Sequence, residues 1–197
     1  MRKKVLILAI LFMAFSLIGC KEIIPSDKKA LKQMKNLKNY SCNVEYTFKN
    51  QRDEDLYEGK QYYVKDKGYR LDIGEDRTNV YIDDYIYVQD KKAGKKYTLI
   101  KDFDEVYKYT FINEIISLLS HPESKVYLSE EQEGYVIFEF IIPSVNRNIA
   151  KGLLYINSST LKPELEKIYD LKGDERVEIK FKEFNSNETL DEEILKH

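Results

Sequence analysis

Tryptophan is absent from this chain, and histidine and cysteine occur twice each. No apolar run is long enough to cross a bilayer as a helix. Each shortage excludes a class of function. His121 and His197 have no Cys or His partner at metal-ligand spacing, so no zinc site is expected. Two cysteines cannot build a disulfide scaffold, so the fold must rest on its apolar core. There is no G-x-S-x-G, no P-loop and no dinucleotide-binding glycine motif. The acid pairs in Asp53-Glu54-Asp55 and Asp83-Asp84 lack calcium-loop spacing and read as solvated turns. Glu139 lies in an apolar stretch where burial would raise its pKa, but a lone carboxyl there more often serves as a satisfied or outward-facing group. No catalytic residue, metal or cofactor is assigned.

What is present begins with the apolar run itself. Arg2, Lys3 and Lys4 precede Val5 to Ile18, a run of 14 residues, whereas a spanning helix needs roughly 20. A basic start, a short apolar stretch and small residues at its end describe an export signal. Leu17-Ile18-Gly19-Cys20 looks like a bacterial lipobox, with cleavage after Gly19 and a diacylglyceryl group on Cys20. A short anchor helix and a plain secreted protein with an incidental cysteine are the alternatives. On the lipobox reading, residues 1–19 are a signal peptide, 20–25 a tether and 26–197 one domain. Two acyl chains give stable membrane attachment where one gives marginal attachment. The protein would then sit on the outer face of a bacterial membrane.

Losing Arg2, Lys3 and Lys4 takes the net charge from −2 to −5. Residues 21–38 carry +4 through Lys21, Lys28, Lys29, Lys32, Lys35 and Lys38, which leaves −9 on residues 39–197. An acidic body argues against nucleic acid as a partner. The basic stretch beside the anchor is either a membrane-facing surface or an ordinary solvated helix face.

Hydrophobic periodicity predicts a helix from Ser26 or Asp27 to about Leu37, with Ala30, Leu31, Met34 and Leu37 as its apolar stripe. The period then changes to two. Cys42, Val44, Tyr46 and Phe48 face inward, so Cys42 is read as inert packing. Short strands are expected at 56–64, 69–73, 79–82, 85–88 and 96–100, forming an antiparallel meander. Asp104 to Ser120 breaks that rhythm, and Phe111, Ile112, Ile115, Ile116, Leu118 and Leu119 predict an apolar helix, ended by His121-Pro122, that plugs the sheet. Further strands follow at 125–128, 135–142, 152–156, 165–170 and 176–184, with Tyr135–Ile142 expected to be central because it is apolar on both faces. A helical turn closes at 190–195. The expected fold is mostly β (α+β): a strongly curved antiparallel sheet, an open half-barrel, with the N-terminal helix and the inserted helix packed on it. The polar loop at Asn146, Arg147 and Asn148 is a candidate recognition loop, with a plain connection as the alternative.

An ordered set of segments carries a family resemblance. It runs through Leu37-Lys38-Asn39-Tyr40-Ser41-Cys42, Lys60-Gln61-Tyr62-Tyr63, Tyr69-Arg70-Leu71, Tyr85-Ile86-Tyr87, Lys96-Tyr97 and Asn146-Arg147. It continues through Leu154-Tyr155-Ile156-Asn157, Thr160, Pro163, Arg176-Val177-Glu178-Ile179 to Phe184, and Leu190-Asp191. With the lipobox, this set resembles the GerS germination lipoproteins of clostridia and, more distantly, the LolA/LolB/RseB half-barrel superfamily. The stretch Lys65-Asp66-Lys67-Gly68 departs from the pattern, where a proline is expected before the Tyr-Arg-Leu strand.

The resemblance implies a non-enzymatic spore-envelope lipoprotein. Such a protein binds and supports a CwlD-type N-acetylmuramoyl-L-alanine amidase needed for muramic-δ-lactam formation in cortex peptidoglycan, and hence for germination. The zinc and the catalysis would belong to the amidase. The distant superfamily implies a second reading, an acyl-chain or lipoprotein acceptor that uses the concave face. An enzyme with a carboxylate site ranks third. Exposed strand edges leave a homodimer by strand pairing or exchange open.

Overall fold

A computed structural model describes residues 26–50, 53–186 and 188–197. Eleven strands form one sheet in the order β6-β5-β4-β3-β2-β1-β11-β10-β9-β8-β7. The strands are β1 Asn39–Lys49, β2 Glu54–Val64, β3 Gly68–Ile73, β4 Arg77–Ile82, β5 Tyr85–Asp90, β6 Lys95–Ile100, β7 Lys125–Leu128, β8 Tyr135–Ile141, β9 Lys151–Asn157, β10 Pro163–Tyr169 and β11 Glu175–Asn185. Every pairing is antiparallel. Two meanders, β1–β6 and β7–β11, join where β1 pairs with β11. The sheet is curved and open, the half-barrel expected from the strand pattern. Helix α1 (Ser26–Lys35) and helix α2 (Ile112–Leu118) pack on each other, and both rest on β8.

The inner face follows from the period-two pattern. Tyr40, Cys42, Val44 and Tyr46 of β1 are buried, and their neighbours Asn43, Glu45 and Thr47 point outward. On β11, Val177, Ile179 and Phe181 keep the same phase. The β1–β11 register then shifts between Ser41 and Asn43, opposite Glu183, whose φ is +52°. The extra residue of this bulge reverses the phase, so Phe184 also turns inward. It stacks on Tyr40 at 5.1 Å between ring centroids. The outer face is laced with ion pairs, including Lys167–Glu175 and Lys182–Glu45. Such exposed pairs keep the face wet and contribute little stability.

The apolar helix expected from Phe111 to Leu119 is found as the short α2, and the residues before it in 104–120 hold a 3-10 turn at Tyr107–Thr110 and an extended Phe111. Local side-chain bonds compete with helix formation here. The Asp104 carboxylate accepts the Val106 and Tyr107 backbone N–H groups, and the Thr110 hydroxyl donates to the Tyr107 carbonyl at 2.8 Å. The expected plugging is nevertheless found, since Phe111, Ile112 and Ile115 are fully buried. One expectation is corrected: β8 is not central but lies next to the edge strand β7. Its outward Ile137 is buried between cross-strand neighbours Tyr127 and Tyr155, so flanking tyrosines supply the cover that a central position was expected to supply.

Gly152 on β9 pairs with Phe140 on β8, and the Phe140 ring lies over the glycine where a Cβ would stand. Gly152→Ala should therefore cost about 1–3 kcal/mol in urea unfolding. Adding Phe140→Leu should recover part of that loss. A double variant that loses the sum of the two single effects would contradict the packing.

Glu166 on β10 is fully buried on the inner face between cross-strand Leu154 and Ile179. Neither carboxylate oxygen has a hydrogen-bond partner among the described residues. Burial holds its pKa well above the usual carboxylate range. A carboxyl raised on folding binds its proton more tightly in the native state. Its neutral form is accommodated at low pH, and stability falls as pH rises above about 4.3, by about 1.4 kcal/mol per pH unit, until the native pKa is passed. Glu166→Gln should flatten that slope and raise the urea midpoint more at pH 8 than at pH 5. An equal change at both pH values would show that Glu166 is not held neutral.

Candidate interaction surface

The concave face is filled by the chain itself. Buried Gln61 on β2 is the polar hub that seats the inserted segment. Its Nε2 donates to the Thr110 hydroxyl at 2.8 Å and the Tyr46 hydroxyl at 3.0 Å. Its Oε1 accepts from the Tyr40 hydroxyl at 3.3 Å, and that hydroxyl in turn accepts the Ile112 backbone N–H at 3.2 Å. Sheet and plug are thus joined by fully buried bonds, which are costly to break one at a time. Around the hub, Phe111 packs on Tyr69 at 4.3 Å and on Tyr81 at 5.5 Å between ring centroids. A chain-like ligand would have to displace these rings.

The buried titratable groups here are structural. Burial pushes the Cys42 thiol up, so it stays protonated and a poor nucleophile. Burial also raises Asp104, against the lowering effect of its bonds from Tyr81 and the backbone N–H groups. Tyr69 donates to Glu114 at 2.6 Å, and the Glu114 carboxylate also receives Lys101 at 2.6 Å. Glu139 points outward and accepts from Tyr127 and Lys151. Among the described residues, no group of three or more His, Cys, Asp or Glu side chains converges to hold a metal.

Cys20 lies outside the described residues. The loop of Asn146, Arg147 and Asn148 lies between β8 and β9 and divides into two roles. Asn146 is a brace: its side-chain amide donates to Glu105 at 2.6 Å, and its Oδ1 accepts the Asn148 backbone N–H at 3.0 Å. Buried Ile149 anchors the loop's return. Arg147 and Asn148 are exposed, and the Arg147 carbonyl accepts the Leu171 N–H at 3.1 Å, which ties the loop to the β10–β11 turn. That turn is fixed by Asp170. Burial acts to raise its pKa, but the Arg176 guanidinium at 2.5 Å and the Lys172 and Asp174 backbone N–H groups hold it below the usual range.

Three segments therefore meet at one end of the half-barrel: 101–106, 143–150 and 170–174. They carry exposed apolar side chains on well-fixed backbone, namely Phe103 (72% exposed), Val145 (97%) and Leu171 (69%) beside Arg147. Apolar groups and an arginine on rigid turns suit contact with another protein. Sequence reading missed the three apolar residues. The available signal was a large apolar side chain inside an otherwise polar turn. The sheet also leaves β6 and β7 as edges, each with one strand partner among the described residues. No helix among the described residues is long and apolar enough to cross a membrane.

Among solved structures, the chain is similar to one in the complex of the CwlD amidase from Clostridioides difficile with the GerS lipoprotein, at 26% identity and TM-score 0.49, covering 85% of this chain and 99% of that one. A domain from Vibrio parahaemolyticus named for outer membrane lipoprotein sorting matches at 11% identity and TM-score 0.50, over 87% and 97% of the two chains. A conserved protein from Thermus thermophilus matches at 10% identity and TM-score 0.56, over 88% and 94%. The last two likenesses show the fold, an open half-barrel. No curated protein matches the sequence. A family model described as sporulation protein YdcC-like matches residues 1–195, and the chain belongs to that family.

Proposed function

We propose that this protein is a lipoprotein of the spore envelope, anchored through Cys20, that binds and supports a CwlD-type N-acetylmuramoyl-L-alanine amidase. In this role it is not an enzyme. It assists the amidase in forming muramic-δ-lactam in the cortex and so serves germination. Membership of a sporulation family over residues 1–195 carries the reading. Three further observations support it: the lipobox at Leu17–Cys20, the ordered segments shared with GerS lipoproteins, and the exposed apolar end at Phe103, Val145 and Leu171. Pairing of two copies through the edges of β6 or β7 is compatible with this role.

The partner claim is tested by pull-down from sporulating cells, with the chain from Lys21 onward as bait. A CwlD-type amidase is the expected prey. Val145→Asp with Leu171→Asp should weaken its capture by about tenfold or more, as expected for centrally placed apolar contacts. Because both side chains are exposed, the free energy of urea unfolding should stay within about 0.5 kcal/mol of the parent. Recovery of no amidase, together with normal cortex lactam in a deletion strain, would refute the proposal.

The anchor is tested separately. Cys20→Ala should move the protein from the membrane fraction to the soluble fraction and abolish labelling by a clickable palmitate analogue. Membrane retention of the variant would point to a spanning anchor instead.

A further inference from the structure

Helix α1 buries Ala30 and Met34 against the core and turns Lys28, Lys29, Lys32 and Lys35 to solvent. Lys38, just beyond it, and Lys162, in the β9–β10 connection, are exposed as well. A groove of about 810 Å³ runs alongside and is lined by Lys29, Lys32, Lys38 and Lys162. None of these six lysines forms an ion pair among the described residues, although many lysines elsewhere do. The carboxylates facing them are few. Asp27 is half-buried in the first helical turn, and Glu188 across the groove already accepts from Ser41 at 2.7 Å. Residues 39–197 carry a net −9, so this face is a positive island on a negative body.

We infer that this face is a docking surface for an anionic phospholipid bilayer. The charge asymmetry favours this approach, since the body is acidic overall; the other exposed lysine cluster, Lys91, Lys92, Lys95 and Lys96, lies at the β5–β6 turn and not on the element that follows the expected anchor. Chain length brings the face within reach. Six residues separate the start of α1 from the expected lipid, a span of at most roughly 20 Å. Lysines near an anionic surface act over a Debye length of about 8 Å at physiological salt. The face therefore adds an oriented seat to the lipid attachment and holds the half-barrel in one attitude toward the membrane. This inference deepens the anchored reading above.

The test omits the lipid, so its failure is separable from failure of the anchor. The chain from Lys21 onward contains every strand, helix and core residue described above. It is co-sedimented with mixed phosphatidylglycerol–phosphatidylcholine vesicles and with pure phosphatidylcholine vesicles. Binding is expected to the mixed vesicles alone and should weaken at high salt. Lys28→Glu with Lys32→Glu and Lys35→Glu should reduce it by about a hundredfold, at about fivefold per lysine. The charge-matched variant Lys91→Glu, Lys92→Glu and Lys95→Glu, at the β5–β6 turn, should lose less than about threefold, a change of net charge without loss of the docking face. Far-ultraviolet circular dichroism confirms that both variants are folded. Absence of binding, equal binding to both vesicle types, or equal losses in the two variants would overturn the inference.

Discussion

The structure depends on one constraint: a half-closed sheet must be filled from its open side. Here the chain fills it with its own segment 107–118, and buried Gln61 sets the alignment. One amide group bonds Tyr40, Tyr46 and Thr110, and through Tyr40 it reaches the backbone at the start of α2. Around these bonds the aromatic rings of Tyr69, Tyr81 and Phe111 close the core. Half-barrels that carry apolar ligands must leave this space open. This one commits it to structure, which shifts the available binding surface to the rim, the end loops and the outer face.

That shift gives the protein a division of labour. In the core, burial keeps the Cys42 thiol protonated and raises the Glu166 carboxyl, and Asp104 ties a turn. The rim presents apolar contacts at Phe103, Val145 and Leu171, and the first helix presents lysines. On the proposed function, the first helix would face the membrane and the end loops would face the amidase, both carried on one sheet.

Much of this was legible in the sequence. Alternation along Cys42-Val44-Tyr46 marks the inner face of β1, and turn residues mark the meander. What was hidden follows physical rules that a local pattern does not show. Phe111 to Leu119 has helical periodicity, yet side-chain bonds from Asp104 and Thr110 hold the preceding residues in turns. The apolar β8 reads as central, whereas two flanking tyrosines cover its outer face. Glu166 lies two residues from inward Ile168, so its burial follows from period two, although a carboxyl carries no local sign of burial. Gln61 is visible only once strands and plug are assembled. Of the exposed apolar residues near the loop at 146–148, Val145 is adjacent in sequence, but Phe103 and Leu171 come from other segments.

Hydrogen–deuterium exchange of the protein, alone and with a CwlD-type amidase, tests the adaptor account most directly. The account predicts new protection over 101–106, 143–150 and 170–174, with the amides of the buried inserted segment, already protected, unchanged. Protection absent from that end, or a binding event that exposes the amides around Thr110 and Ile112, would contradict it.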